Sequence, residues 1–248
     1  MVDILLVQPP IRDFYLTAKR TIPYGLASIA AALRQADYDV SILDALATRR
    51  MKTIATPPQM AYLAPYYGRP DRSPFSLFHR FRHYGYGFER IAREAAAERP
   101  RLVGISALFT PYANSALATA EAIKKALPDC PVVVGGHHAT AFPQAIMDCK
   151  AVDFVVRGEG EHSMVQLADA LFKQQPLEKV AGLVWRSDES GLTVSAPAVI
   201  VEASDFPTPA FDLIDHGFYR RGGKVSSQIV ATRGCPFSCS YCVCGAQG

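Results

Sequence analysis

Apolar and polar positions follow two alternating periods along the first two thirds of the chain. Val2–Val7 is a nearly unbroken apolar run, the pattern of a strand buried on both faces. Tyr24–Gln35 then carries Leu26, Ile29, Ala30 and Leu33 at helical spacing behind Pro23, and Tyr38–Leu43 reads as a second strand ending at Asp44. After an interruption the alternation resumes. A helix near Phe88–Glu98 precedes a strand at Leu102–Ser106, and a helix at Asn114–Leu127 precedes a strand at Val132–Val134. A short helix around Ala141–Met147, a strand at Val152–Val156 and a helix at Ser163–Phe172 close the series. Five strands alternating with helices predict an α/β fold: a Rossmann-like (flavodoxin-like) five-stranded parallel sheet, ordered 2-1-3-4-5.

The interruption and the C-terminal third break this rhythm. Residues 45–87 hold Pro57, Pro58, Pro65, Pro70 and Pro74 among many aromatics and show no clear period. A stretch of that length without a pattern is usually functional or disordered. After Pro176, Val180–Trp185 and Leu192–Val194 flank Asp188-Glu189-Ser190-Gly191, predicting a small β-hairpin outside the main sheet. Asp205–Asp215 reads as an irregular linker, and Gln228–Thr232 as one further strand running into Arg233-Gly234-Cys235. Three segments follow: an α/β domain over 1–175, a β connector over 176–226, and a last strand with its loop over 227–248.

Composition narrows the function only a little. In 248 residues, 49% are hydrophobic and 20% charged, a soluble composition with material for a core. A net charge of +3 does not argue for nucleic acid or a membrane. No apolar run approaches the roughly 18 residues of a span. The N-terminus lacks a positive n-region and runs from Val7 into Gln8-Pro9-Pro10, so a cytoplasmic location is expected.

Cysteine placement changes the picture more. Cys130 and Cys149 stand alone in apolar surroundings, as small buried hydrophobes do. Cys235, Cys239, Cys242 and Cys244 crowd the C-terminus, which in a cytosolic chain favours metal over disulfides. The spacing is CxxxCxxC. Three thiolates so close can hold three irons of a 4Fe–4S cluster and leave the fourth iron open. Zinc remains the rival, although its sites usually pair cysteines at two separated places. Cys244 lies only two residues beyond Cys242 and is assigned no role.

Thr232-Arg233-Gly234-Cys235-Pro236-Phe237-Ser238-Cys239-Ser240-Tyr241-Cys242 resembles the signature of the radical S-adenosylmethionine superfamily. The resemblance implies that Cys235, Cys239 and Cys242 ligate the cluster, that its open iron is chelated by S-adenosylmethionine, and that Tyr241 lies beside the adenine. Electron transfer then cleaves the sulfonium to a 5′-deoxyadenosyl radical.

In an open parallel sheet, ligands bind beyond the carboxyl ends of the strands. Those ends carry Gln8-Pro9-Pro10, then Ser106-Ala107-Leu108-Phe109-Thr110, then Gly135-Gly136-His137-His138, and finally Arg157-Gly158-Glu159-Gly160-Glu161. Glycines there either shape tight turns or admit a ligand to the backbone, and no GxGxxG follows the first strand. His137 and His138 stay open between ligand contact and turn capping.

Met1 to about Phe172 resembles the cobalamin-binding domain that precedes many radical-SAM barrels. The resemblance rests on Pro23–Leu33, Arg101–Thr110, Gly135-Gly136-His137 and Val156–Glu161, with Gly182–Trp185 and Phe206–Asp212 resembling the connector. It implies cobalamin contacts at Pro9, Pro10, Ser106–Thr110, Gly135, Gly136, His137 and Arg157–Gly160. The DxHxxG motif that supplies a histidine to cobalt is absent. The benzimidazole tail is therefore expected near Ser106 and Gly135-Gly136, without a His137–cobalt bond.

Between Tyr62 and Phe88 lie Tyr66, Tyr67, Phe75, Phe78, Phe81, Tyr84 and Tyr86, with Arg69, Arg72, Arg80 and Arg82. Such interleaving suits single-stranded nucleic acid or a docking face. With so small an overall charge, docking on the missing barrel or its substrate is the preferred reading. The expectation is thus a fragment of a cobalamin-dependent radical-SAM enzyme, binding cobalamin, a 4Fe–4S cluster and S-adenosylmethionine. Its radical-SAM barrel start, at 227–248, is truncated, so this chain alone should be catalytically silent. Methyl transfer to carbon is the favoured chemistry of the intact enzyme. A cyclase or oxidoreductase, a non-catalytic cobalamin carrier or sensor, and a zinc-holding α/β protein without cobalamin remain alternatives.

Overall fold

A computed structural model describes residues 2–15, 22–63, 65, 80–187, 191–198, 207–225, 227–230 and 239. In chain order these form β1 (Ile4–Gln8), β2 (Ile11–Asp13), α1 (Tyr24–Gln35), β3 (Val40–Asp44), β4 (Met51–Thr53), β5 (Arg82–Tyr84), α2 (Phe88–Glu98) and β6 (Leu102–Ser106). Then come α3 (Ala113–Ala126), β7 (Val132–Gly135), α4 (His137–Ala141), α5 (Pro143–Met147), β8 (Phe154–Val156), α6 (Gly160–Phe172), β9 (Leu183–Ser187) and β10 (Gly191–Val194). A last ribbon pairs β11 (Arg220–Arg221) with β12 (Lys224–Val225).

The main sheet runs β10-β9-β8-β7-β6-β1-β3. Its five parallel strands, in order of sequence, lie 2-1-3-4-5, as the hydrophobic pattern predicts. The hairpin does not stand outside this sheet. β9 pairs antiparallel with β8, placing Trp185 opposite Phe154, and β10 pairs with β9, so the sheet has seven strands. The physical reason is burial: Leu183, Val184 and Trp185 are all buried, too much apolar surface for a free-standing hairpin.

Alternate side chains of β1 divide between two layers. Leu5 and Val7 join Ile91, Ile123 and Ile146 beneath α2, α3 and α5. Ile4 and Leu6 join Leu26, Leu33 and Leu167 beneath α1 and α6. The helices therefore cover both faces, and the edges of the strands alone remain for a ligand.

Two further elements frame the carboxyl edge. The stretch without a period contributes β4 and β5, which with β2 make a separate three-stranded sheet. Gly85 seats it: at φ +115°, an added Cβ would lie 2.6 Å from Ala45 O, and Tyr86 N donates to that carbonyl at 2.9 Å. The connector, meanwhile, runs back across α1. Ala210 N donates to Ala27 O at 2.9 Å, Arg34 pairs with Asp212 at 2.7 Å, and the Tyr219 hydroxyl donates to Asp44 Oδ2. Gln228–Val230 are not in a strand, contrary to expectation, because no neighbouring strand pairs with them among the described residues. The remainder of that predicted strand lies outside the described residues.

Candidate functional site

The carboxyl ends of the five parallel strands gather the loops that the sequence singles out. Register sets Ser106 beside Gly135 and Gly135 beside Val156, so the loops after β6, β7 and β8 are neighbours. Pro9 and Pro10 follow β1, which pairs with β6 through Val7 and Ile105. The strand order reverses between β1 and β6, and a crevice opens at such a point.

Exposure sorts these residues. Pro9, Pro10 and Ala107 are buried, while Ser106, Gly135, Gly136, Arg157, Gly158, Glu159 and Gly160 are half-buried. Leu108 and Phe109 are 42% and 54% exposed, and Phe142 close by is 50% exposed. Thr110 and His137 are also exposed. Large apolar side chains rim the edge where they gain nothing from the core, as ligand contacts do.

Backbone geometry explains the glycines. Gly136 takes φ +112°, and a Cβ there would sit 2.8 Å from Ala107 O. The contact is close because Ala107 N donates to Gly135 O at 2.7 Å and His138 N to Ala107 O at 3.1 Å. The loop after β7 is thus folded against the loop after β6. Gly158, at φ +75°, donates its N–H to Thr140 Oγ1 at 2.9 Å, while Thr140 Oγ1 donates to Gly136 O at 3.0 Å. One threonine joins the last two loops.

Of the two histidines, His137 faces solvent and His138 is buried, with Nδ1 3.1 Å from Thr110 Oγ1. Burial pushes the His138 ring below the usual histidine value and keeps it neutral. Its place is therefore structural, binding the loop after β6 to α4. Arg157 differs: its backbone N–H goes to Gly182 O at 2.8 Å, but its Nε is shut from solvent with no hydrogen-bond partner among the described residues. A buried donor left unpaired costs about 1–3 kcal/mol unless something fills it.

Sequence reasoning missed a clasp at this edge. Tyr112, just beyond the loop after β6, donates to Asp13 Oδ2 at 2.8 Å and lies 3.0 Å from the Tyr15 hydroxyl. Burial, with the Tyr15 and Asp13 hydrogen bonds, pushes the Tyr112 phenol well above its usual value. The pattern Thr110-Pro111-Tyr112 was visible, but nothing in the chain names its partners.

Cys235, Cys242 and Tyr241 lie outside the described residues, as do Tyr66, Tyr67, Arg69, Arg72, Phe75 and Phe78. Cys239 is exposed. Among the described residues no three His, Cys, Asp or Glu side chains are grouped to hold a metal, and no helix is long and apolar enough to cross a membrane. A shallow depression lined by Arg99, Arg101, Leu127 and Pro131 lies at the opposite, amino ends of the strands.

The B12 binding domain family matches residues 77–168. An uncharacterized methyltransferase of Pyrococcus horikoshii is 29% identical over 255 residues, covering 100% of this chain and 46% of that protein. An anaerobic magnesium-protoporphyrin IX monomethyl ester cyclase of Synechocystis is 34% identical over 124 residues, 48% of this chain and 24% of that protein. The chain thus spans less than half the length of these relatives. Among solved structures, the radical S-adenosylmethionine methyltransferase TsrM of Kitasatospora setae, solved with cobalamin and a [4Fe-4S] cluster bound, shares the fold. The TM-score is 0.60 at 22% identity, over 98% of this chain and 41% of that one.

Proposed function

We propose that this chain belongs with the radical S-adenosylmethionine enzymes carrying a cobalamin-binding domain, that its carboxyl-edge loops hold cobalamin and that Cys235, Cys239 and Cys242 hold a 4Fe–4S cluster, a reading supported by the B12 binding domain match and the methyltransferase relative. The residues suit the first group. Gly136 leaves a backbone cradle that a Cβ would fill, Leu108 and Phe109 offer an apolar rim, and Arg157 Nε waits for an acceptor. Pro9 and Pro10 wall the crevice from the β1 side. For the cluster the support is the donor set, three thiolates at a spacing that leaves one iron open.

When bound, cobalamin supplies a methyl carrier, and the cluster supplies the electron that cleaves S-adenosylmethionine. The chain's own residues position these groups. The Gly136–Ala107 contact and the Thr140 bridge fix the three loops against one another, so the ligand meets a preformed surface. The connector is anchored at the same edge of the sheet by the Tyr219–Asp44 hydrogen bond. That anchor at the carboxyl edge, in the chain shortly before the cysteines, is the observation that supports the two-cofactor reading.

For the whole protein we propose methyl transfer to carbon, in keeping with the similarity of this chain to 46% of an uncharacterized methyltransferase. The cyclase relative favours a second reading, ring formation or oxidation on the same layout. The test is anaerobic reconstitution with hydroxocobalamin, iron and sulfide, followed by desalting and metal analysis. About one cobalt and four irons per chain is the expected content. Cobalt without iron would leave a cobalamin module only, and no retained cobalt would sink the cobalamin assignment.

A further inference from the structure

The three-stranded sheet beside the candidate site carries a row of basic side chains. Pairing sets Arg12 opposite His83 and Lys52 opposite His83, so the three lie side by side across β2, β5 and β4 on one face. Adjacent strands are about 4.8 Å apart, which confines the row to about 10 Å. No ion pair neutralises it: among the described residues neither Arg12 nor Lys52 has a carboxylate within salt-bridge distance.

Arg12 is the centre of the argument. Its guanidinium lies 4.8 Å from the centroid of Phe88, and its Nε is shut from solvent with no hydrogen-bond partner among the described residues. A ring beneath the guanidinium satisfies its π-face but none of the N–H groups that point outward in its plane. Those donors match the paired oxygens of a phosphoryl or carboxylate group. His83 gives Nε2 to Tyr86 O at 2.9 Å and packs edge-on against Phe88 at 5.5 Å, so its ring is fixed between the two cations. Burial foremost, with the fields of Arg12 and Lys52, holds His83 below its usual value; the Tyr86 carbonyl and Glu89 act in the opposite sense. The row thus presents two permanent charges and one neutral ring.

We propose that Arg12 and Lys52, held on either side of the His83 ring, form an anion site for a phosphoryl-bearing small molecule, separate from the glycine-lined loops. Asp13, which follows Arg12 but points to the opposite face of β2, is the residue that Tyr112 holds at 2.8 Å, so that bond ties the strand, not the row's face, to the loop after β6. The anion's phosphate has two conceivable sources, a separate ligand or the phosphodiester of a cobalamin nucleotide tail.

The test uses the full chain and inorganic pyrophosphate, followed by calorimetry at low ionic strength. Saturable binding is expected, weakened roughly tenfold by Arg12→Gln, which removes a charged, bidentate donor, with the urea midpoint little changed. Lys52→Gln should weaken it less and reduce its salt dependence. No saturable binding, or equal binding by wild type and Arg12→Gln, would overturn the site. Hydroxocobalamin and cobinamide, which lacks the nucleotide phosphate, distinguish the sources. If Arg12→Gln weakens hydroxocobalamin alone and pyrophosphate competes with it, the anion is the cofactor's own. If cobalamin affinity is untouched while pyrophosphate binding falls, the site serves a separate ligand. Failure of wild type to retain any cobalamin tells against the cofactor assignment and leaves the pyrophosphate result standing.

Discussion

The Tyr112 phenol donates to Asp13 Oδ2 across 2.8 Å, joining positions 99 apart in the chain. Asp13 Oδ1 meanwhile accepts from Phe14 N at 2.6 Å, so both carboxylate oxygens are engaged. Removing the hydroxyl by Tyr112→Phe is expected to cost about 1–2 kcal/mol, the usual effect of leaving a charged acceptor short of one donor. Urea unfolding reads this directly. An unchanged midpoint would mean that water replaces the phenol without loss.

Gly136→Ala and Gly191→Ala make a matched pair. Both glycines have positive φ, +112° and +78°, but a Cβ at 136 meets Ala107 O at 2.8 Å whereas one at 191 meets nothing within 4 Å. The second change should cost about 1–2 kcal/mol from backbone strain alone. The first should cost more and also weaken cobalamin binding, since it forces apart the loops after β6 and β7. Equal destabilisation in the two variants would show that the close approach carries no energy.

Arg186 ties the added strand to the rest of the sheet. Its guanidinium donates to Val152 O at 2.6 Å, to Cys149 O at 2.9 Å and to Met147 O. Arg186→Met keeps the stem but strands three carbonyls, and a loss of about 2–4 kcal/mol is expected. Arg186→Lys should recover part of it. A loss under about 0.5 kcal/mol, the scale of an ordinary surface change, would refute the clamp.

Stability should also depend on pH through His138. Burial lowers its folded value, so between that value and the unfolded 6.5 the unfolded chain binds more protons. Stability is full above the unfolded value and falls as pH drops through this window. His83 is lowered as well, mainly by burial, and adds to the same slope. Urea midpoints from pH 7.5 down to about 5, above the titration of ordinary carboxylates, should decline for the wild type. His138→Gln should flatten the decline in part, and an identical slope in that variant would exclude His138 as a source.

Iron and cobalt should separate by mutation. Alanine at Cys235, Cys239 and Cys242 together is expected to abolish iron uptake and leave cobalt uptake intact, since the glycine-lined loops are separate segments of the sequence. Cys244→Ala should retain iron. Iron loss in the Cys244 variant would place that thiol among the ligands.

How far the chain could be read in advance depended on how local each feature is. Tyr24–Gln35 and Leu102–Ser106 come out at their predicted limits, because a single face or a continuous apolar run declares them. The hairpin's pairing with β8 was not legible. Val184 and Trp185 show that a strand exists, but not which edge it joins. The three-residue strands at 11–13, 51–53 and 82–84 are too short for any period to emerge, and they exist through one another. At the candidate site the glycine loops were visible as strand ends. The Tyr112–Asp13 clasp and the Tyr219–Asp44 anchor were not, since each joins distant segments through a single hydrogen bond.

The connector's path has a consequence for encounter rates. Tyr219 is held at Asp44, and Cys235 follows about sixteen residues later. Such a tether reaches at most about 55 Å when fully drawn out, and the β11–β12 ribbon within it shortens that reach. The thiolates are therefore confined to a small volume around the ligand edge, at an effective concentration on the order of millimolar. Whatever the cysteines carry meets the neighbouring crevice as an intramolecular event, independent of how dilute the protein is.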